Sequence, residues 1–240
     1  MYTTKITAQK IIADGTMVFY FQKPAGFQYT AGQYVDLTLS NPLETDADGD
    51  RRSFSLSSAA QEPELFIATR MRDTAFKRVL KSMPVGSVVQ ISEPMGSFTI
   101  HNNAEKPAVF LAGGIGITPF YSMVKDAAYR KLPHHITLFY SNKRPEDSAF
   151  LQELIDLQKE NSNYKLVATM TEMDKSKQSW TGETGFITKE ILDKHLKAKE
   201  TNKAIYYIAG PPAMVAAMRN MLNESGVDTD NIRTEEFSGY

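Results

Sequence analysis

A glycine-rich segment, residues 110–119, offers the clearest chemistry in this chain. It places Gly113, Gly114 and Gly116 between an apolar run and a helix-forming run that carries Pro119 in its first turn. Glycines let the backbone approach an anion closely, and the unpaired N–H groups at a helix start face that anion. The pattern predicts a phosphate cradle in a dinucleotide site, with a tight strand-to-helix turn that binds no ligand as the alternative.

A second loop of related design lies near the C-terminus. The apolar run 204–208 leads into Ala209-Gly210-Pro211-Pro212-Ala213-Met214. Open parallel sheets bind ligands beyond the carboxyl ends of their strands, so this loop is a candidate second wall of the same site. Taken alone, a helix that starts with proline is the better explanation of this loop.

A third segment, Arg52-Ser53-Phe54-Ser55, combines three kinds of ligand-binding side chain, with Arg51 beside it. An arginine can pair with a phosphate, an aromatic ring can stack on another ring, and a hydroxyl can hydrogen-bond a heteroatom. Without context, a basic strand with an inward phenylalanine explains it better.

The parts of the chain around these segments show two different sequence patterns. The first hundred residues contain short β-rich runs divided by turn signals, which predict a small barrel or sandwich. One amphipathic helix interrupts them at residues 73–82, with Asp73 as the expected N-cap. The predicted strands cover residues 5–13, 16–22, 33–39, 52–56, 65–70 and 88–92.

After about residue 102, strands alternate with helices. Continuous apolar strands crossed by helices predict a parallel sheet that is covered on both faces. The predicted strands cover residues 108–112, 136–140, 164–170 and 204–208, and the predicted helices cover 119–130, 148–159, 188–195 and 212–223. The domain boundary is expected near His101-Asn102-Asn103.

Six segments in this order and spacing resemble the ferredoxin-NADP reductase superfamily over nearly the whole chain. They are residues 27–34, 52–55, 93–98, 113–119, 180–186 and 209–212. Residues 52–55 are similar to its Arg-x-Tyr/Phe-Ser flavin motif, and residues 113–119 to its Gly-Gly-x-Gly-x-Thr-Pro motif. The resemblance implies an antiparallel β-barrel flavin domain at residues 1–102, followed by an α/β parallel-sheet NAD(P)-binding domain at residues 103–240.

The resemblance also implies roles at the flavin. Arg52 would pair with the pyrophosphate, Phe54 would pack on the ring or the ribityl chain, and Ser55 would hydrogen-bond N5. The N–H groups of a helix opening near Thr74 would face the pyrophosphate. The residues implied in flavin binding are Arg52, Ser53, Phe54, Ser55, Arg70, Met71, Arg72, Thr74, Ala75 and Phe76.

The last six residues, 235–240, resemble tails that fold back over a flavin in that family. The resemblance puts Phe237 or Tyr240 near the ring, and a frayed terminus is the alternative for Tyr240. Ser55 and Phe237 are the implied catalytic residues.

For the nicotinamide dinucleotide, the resemblance implies Gly114, Gly116, Thr118, Pro119, Gly210, Pro211 and Met214. One position departs from the pattern. Many relatives have a cysteine close to the nicotinamide where this chain has Ala209. Hydride transfer requires no proton or covalent step from that cysteine, so the departure bears on rate rather than on the presence of activity.

Residues 140–147 bear on the choice between NADPH and NADH. The Ser141 hydroxyl is followed by Lys143 and Arg144, which could clasp a 2′-phosphate and so favour NADPH. A solvated basic turn is the alternative, since Glu146 and Asp147 partly neutralise these cations.

Composition excludes several other classes. The net charge of −1 gives no sign of a nucleic-acid or anionic-membrane partner. With no cysteine, disulfides, zinc-thiolate sites and cysteine-ligated iron-sulfur clusters are excluded from these residues. The histidines His101, His134, His135 and His195 do not cluster with acids at metal-ligand spacing, so no metal is expected and surface turns are expected to hold them. No export signal or membrane span is visible, so we expect a cytoplasmic protein.

The expected activity is that of an NAD(P)H-dependent flavoprotein reductase. Hydride would pass from nicotinamide C4 to flavin N5, with FAD favoured over FMN by resemblance to members with a helix-opening motif. The electron acceptor would be a separate carrier protein such as a ferredoxin, a flavodoxin or an oxygenase component. The alternatives are a flavin or ferric reductase that acts on small acceptors, and a non-catalytic redox-sensing subunit.

Overall fold

A computed structural model describes residues 1–197, 201 and 203–238. Within the first part of that range, six strands form one antiparallel sheet in the order β4-β3-β6-β1-β2-β5. The strands are β1 (Tyr2–Ala13), β2 (Thr16–Gln22), β3 (Tyr34–Leu39), β4 (Arg51–Ser55), β5 (Glu64–Arg70) and β6 (Val88–Ile91), and helix α1 (Ala75–Ser82) lies between β5 and β6.

This sheet curls until its two edge strands approach each other. Just after β4, the Ser57 N–H donates to the carbonyl of Phe66 on β5 at 2.9 Å. Alternate side chains of the strands fill the interior, as the two-residue period of a strand requires. Phe76 and Leu80 of α1 are buried in the same cluster. The expected antiparallel barrel is confirmed.

The remaining described residues form a parallel sheet in the order β10-β9-β8-β7-β11-β12. Its strands are β7 (Ala108–Gly113), β8 (Ile136–Asn142), β9 (Tyr164–Met170), β10 (Glu183–Thr184), β11 (Ile205–Gly210) and β12 (Ile232–Glu236). Its helices are α2 (Ile117–Tyr129), α3 (Leu151–Glu160), α4 (Lys189–His195) and α5 (Pro212–Glu224). The central strands β7 and β11 are fully buried, because helices or the barrel cover both faces. The expected α/β class is also confirmed.

Aromatic side chains join the two sheets. Tyr121 of α2 stacks on Phe150 with ring centroids 4.0 Å apart, and Phe66 of the barrel lies 6.3 Å from each of them. The Ser122 hydroxyl donates to the Ser58 carbonyl at 2.6 Å. The barrel and the parallel sheet therefore share a packed core.

Three local predictions were wrong. Thr74, not Asp73, caps α1, because the Thr74 side chain accepts the Lys77 N–H at 3.4 Å while Asp73 pairs with Arg78. Helix α2 begins at Ile117, two residues before the predicted start, because the preceding glycines already form a 3₁₀ turn.

The third error concerns the histidines. His101 and His134 do not lie in surface turns but are 6% exposed. The ring of His134 hydrogen-bonds the His101 carbonyl at 2.7 Å, and His101 contacts the Tyr207 hydroxyl at 3.0 Å. Both rings are therefore structural parts of the segment that enters the parallel sheet.

Among the described helices, none combines the length and the apolar character needed to cross a bilayer.

Candidate functional site

A cleft of about 690 Å³ opens between the barrel and the C-terminal strand. We call it the first cleft. The barrel contributes the predicted flavin motif and the start of α1, and the parallel-sheet part contributes the glycine loop and the chain end. Its lining includes Arg52, Ser53, Phe54, Ser55, Thr74, Lys77, Ile115, Thr118, Glu235 and Phe237.

Strand β4 positions the motif because it is an edge strand of the antiparallel sheet. One side of β4 pairs with β3, with Ser55 opposite Tyr34, and the other side opens into the cleft. The Ser55 side chain is 3% exposed, and its hydroxyl has no hydrogen-bond partner within the structure. An unpaired buried hydroxyl is costly unless a ligand satisfies it, so Ser55 is suited to hydrogen-bond a heteroatom of a bound ring.

Arg52 lies at the other end of this strand. Its guanidinium is 5.2 Å from the Phe76 ring centroid, and its Nη2 is 2.7 Å from Asp46 Oδ1. The ring of Phe76 itself is 1% exposed. Phe76 therefore supports Arg52 from inside the barrel rather than offering its ring to a ligand.

A second cation, Lys77, lines the same end of the first cleft. Burial, together with the neighbouring charges of Arg72 and Arg52, lowers the pKa of Lys77 to about 8. An anionic ligand would relieve this repulsion. Lys77 was not predicted from the sequence, because an isolated lysine on an amphipathic helix has no sequence feature that marks it as a binding residue.

The C-terminal strand supplies the opposite wall. Strand β12 pairs in parallel with β11, and the Phe237 N–H donates to the Gly210 carbonyl at 3.0 Å. This hydrogen bond holds Phe237 at the cleft. Residues 235 and 236 are thus part of the sheet rather than of a folded-back tail, and Tyr240 lies outside the described residues.

Glu235 is a site residue that the sequence analysis did not single out. It lines the first cleft, its Oε2 is buried without a partner, and burial raises its pKa to about 7. The signal was available, because the strand–helix alternation predicts another strand after α5 that ends at the ligand-binding edge.

A cleft of about 380 Å³, the second cleft, lies at the carboxyl edge of the parallel sheet. Gly114 lines it with a φ of +54°, and a Cβ added there would meet no atom within 4 Å. Behind this loop, a Cβ on Gly116 would lie 2.2 Å from the Ala209 carbonyl oxygen. The predicted glycine loop and the Ala209-Gly210 loop are therefore in direct contact, and Gly116 permits it.

Some of the residues predicted to bind the dinucleotide line a cleft, and others occupy supporting positions. Pro211, Met214, Ser141 and Lys143 line the second cleft. Thr118 lines the first cleft instead, and its hydroxyl donates to the Ile115 carbonyl. Pro119 and Gly210 are supporting positions, in the first turn of α2 and at the end of β11.

Arg70 and Arg72, predicted at the flavin, line the second cleft rather than the first. Met71 between them packs partly against the barrel core. Arg144 lines a neighbouring groove, where its Nε and Nη2 contact the Asp147 carboxylate at 2.7 and 3.0 Å.

The two clefts meet at Ile115, which lines both of them. Ile115 lies in the 3₁₀ turn between β7 and α2. A ligand ring in the first cleft and one in the second would therefore approach each other beside this residue. Among the described residues, no group of three or more histidine, cysteine or acidic side chains is placed to hold a metal ion.

Comparisons with known proteins agree with this geometry. A family model described as an oxidoreductase NAD-binding domain matches residues 110–220. Flavohemoprotein A of Dictyostelium discoideum is 26% identical, over 97% of this chain and 59% of its own length. The reductase component of propane 2-monooxygenase from Rhodococcus jostii is 27% identical, over 90% of this chain and 57% of its own length. This chain thus spans less than two thirds of the length of each of these relatives.

Among solved structures, a ferredoxin NADP+ reductase from Neisseria gonorrhoeae with bound FAD and NADP superposes with a TM-score of 0.81. It is 20% identical, and the match covers 98% of both chains. The chain thus has the fold of that reductase, and residues 110–220 match an oxidoreductase NAD-binding domain.

The buried carboxyl of Glu235 generates a prediction for the flavin-free protein. Because the pKa of Glu235 is raised, ionising its carboxyl in the folded protein costs about 3 kcal/mol more free energy than ionising it in the unfolded chain. Below its unfolded pKa the carboxyl is protonated in both states, so stability should fall as the pH rises from about 4.5 to about 7. Glu235→Gln should remove this fall, as measured by urea unfolding across that pH range.

Glu236→Gln is the matched control, because Glu236 is the exposed neighbour on the same strand. It should retain the pH dependence of the wild type. Parallel curves for the wild type and Glu235→Gln would show that the carboxyl is not desolvated.

Proposed function

We propose that this chain is an NAD(P)H-dependent flavoprotein reductase that binds FAD in the first cleft and NAD(P)H in the second. The observation that carries this proposal is the meeting of the two clefts at Ile115. A donor ring and an acceptor ring must come into contact for hydride transfer, and adjoining clefts supply that proximity. We further propose that residues 1–102 form the flavin domain and residues 103–240 the nicotinamide domain.

The residues of the first cleft fit a flavin nucleotide along its length. At one end, Ser55 offers a buried hydroxyl without a partner, which suits a ring heteroatom. At the other end, Arg52 and Lys77 place two cations beside the start of α1, which suits phosphate. Phe54 and Phe237 offer apolar surface between them.

When bound, FAD supplies a hydride acceptor that can release electrons singly. The residues of this chain would hold the flavin ring and shield it from water. Ser55 would fix the ring by one hydrogen bond, and Phe237 would cover it and exclude water. Glu235, with its raised pKa, would hold a proton beside the ring near neutral pH.

In the second cleft, the loop around Gly114 would hold the dinucleotide phosphates with backbone N–H groups. Arg70 and Arg72 add two cations at the same cleft. Met214 and Pro211 would bound the nicotinamide end. Ala209 is fully buried, so Met214 and Pro211, rather than the Ala209 side chain, would position the nicotinamide.

We propose NADPH as the preferred donor. Support comes from the charge beside Ser141, because the second cleft has more cations than carboxylates in its lining. The cations are Arg70, Arg72 and Lys143, and the carboxylate is Glu172. An excess of positive charge favours the additional phosphate of NADPH.

The electron acceptor lies outside these residues, because a chain without cysteine offers no ligands for an iron-sulfur cluster of the usual kind. We propose a separate electron-carrier protein, such as a ferredoxin, flavodoxin or oxygenase component. The similarity to the reductase component of propane 2-monooxygenase supports an acceptor of this kind.

The assignment of the second cleft predicts the effect of Gly114→Asn. Asparagine tolerates a positive φ, and its side chain would enter the space that the phosphates need. With ferricyanide as acceptor, the KM for NADPH should rise by about tenfold, while FAD binding stays unchanged. An inactive wild type with bound FAD would contradict the proposed function, and an unchanged KM would contradict the assigned cleft.

The preference for NADPH predicts that Lys143→Ala lowers kcat/KM for NADPH by about tenfold and leaves NADH unaffected, since only NADPH carries the 2′-phosphate. Lys175→Ala is the control, because Lys175 pairs with the same Glu172 but does not line the second cleft. Equal losses with both coenzymes would exclude recognition of the 2′-phosphate by Lys143.

A further inference from the structure

Arg52, at the cationic end of the first cleft, is already paired with carboxylates of this chain, and Asp46 is nearer to it than Asp48. Asp46, in the loop between β3 and β4, places its Oδ1 2.7 Å from Nη2 of Arg52. Nη1 of Arg52 donates to the carbonyls of Asp48, Gly49 and Arg51 at 2.9, 3.1 and 2.7 Å. The loop thus occupies much of the donor capacity of the guanidinium.

The same carboxylate reaches the start of helix α1. Hydrogen bonding to Arg52 lowers the pKa of Asp46, and the backbone N–H of Ala75, the first residue of α1, contributes to that lowering. Helix α1 has no acidic residue in its own first turn. Asp46 therefore supplies the negative charge that a helix N-terminus attracts.

A carboxylate between a guanidinium and a helix N-terminus lies where a phosphate group would be bound. Lys77, lining the same end of the cleft, has no ion pair among the described residues and therefore leaves positive charge for a larger anion. The carboxylates of Asp46 and Asp48 both pair with Arg52 rather than with Lys77.

We propose that Asp46 is an internal anion that holds Arg52, the phosphate-binding cation of the first cleft, and must release it when a phosphorylated flavin binds. This proposal rests on the proposed binding of FAD to that cleft. Asp46 thereby lowers the affinity for flavin nucleotides. It competes with their phosphates and has no effect on the binding of their rings. The flavin of this protein is consequently held less tightly than Arg52, Lys77 and the start of α1 alone would hold it.

Polar contacts hold this loop on α1 and β4. Glu44 contacts Arg78 of α1 at 2.7 Å, and Asp46 contacts Arg52 of β4. Apolar contacts contribute little, because Leu43 is 95% exposed and Ala47 is exposed. Asp46 therefore leaves Arg52 by breaking a polar contact, without exposing an apolar core.

The test is an equilibrium titration of flavin-free protein with FAD, FMN and riboflavin, followed by flavin fluorescence. Asp46→Asn keeps the shape of the side chain and removes its charge. It should bind FAD and FMN about tenfold more tightly than the wild type, because no internal anion is displaced. Riboflavin lacks phosphate, so its affinity should not change.

Asp50→Asn is the matched control, since Asp50 is an exposed carboxylate of the same loop, whereas the carboxylates that pair with Arg52 are those of Asp46 and Asp48. Its affinities should equal those of the wild type. An unchanged FAD affinity in Asp46→Asn, an equal gain in Asp50→Asn, or an equal gain for riboflavin would each overturn the proposal while leaving flavin binding intact. Absence of flavin binding by all three proteins would overturn the proposed function as well.

Discussion

The packed contact between the barrel and the parallel sheet is the constraint on which the site depends. Phe66 of the barrel packs against the stacked pair Tyr121 and Phe150, and Ser122 donates to the Ser58 carbonyl. Because helix α2 carries Tyr121 and Ser122 and begins directly after the glycine turn, this contact fixes that turn relative to the barrel. The position of Ile115 between the two clefts follows from it.

Cations in both clefts pair with carboxylates of this chain. A cation that loses hydration needs a compensating charge. Carboxylates of the chain supply it at both sites: Asp46 beside Arg52, and Glu172 beside Lys143. Under the proposed function, phosphate binding would exchange one anion for another, and its strength would depend on the carboxylate displaced as well as on the cations.

The sequence predicted the fold class and most element positions, because period-two and period-3.6 patterns are local. Strand β12 escaped prediction since it is a short edge strand with charged residues at three of its five positions. The contact of Asp46 with Arg52 depends on the path of a loop, and no periodic signal encodes that path. Lys77 and Glu235 owe their shifted pKa values to burial, which arises only when distant segments pack.

The most direct test of the account is an anaerobic single turnover without any electron acceptor. The FAD-loaded protein is mixed with one equivalent of NADPH, and in a parallel experiment with NADH, while flavin absorbance is recorded. The account predicts that a nicotinamide coenzyme bleaches the bound flavin within the protein. A flavin that stays oxidised although FAD and the coenzyme are both shown to be bound would contradict it, because the two clefts would then not bring the rings together.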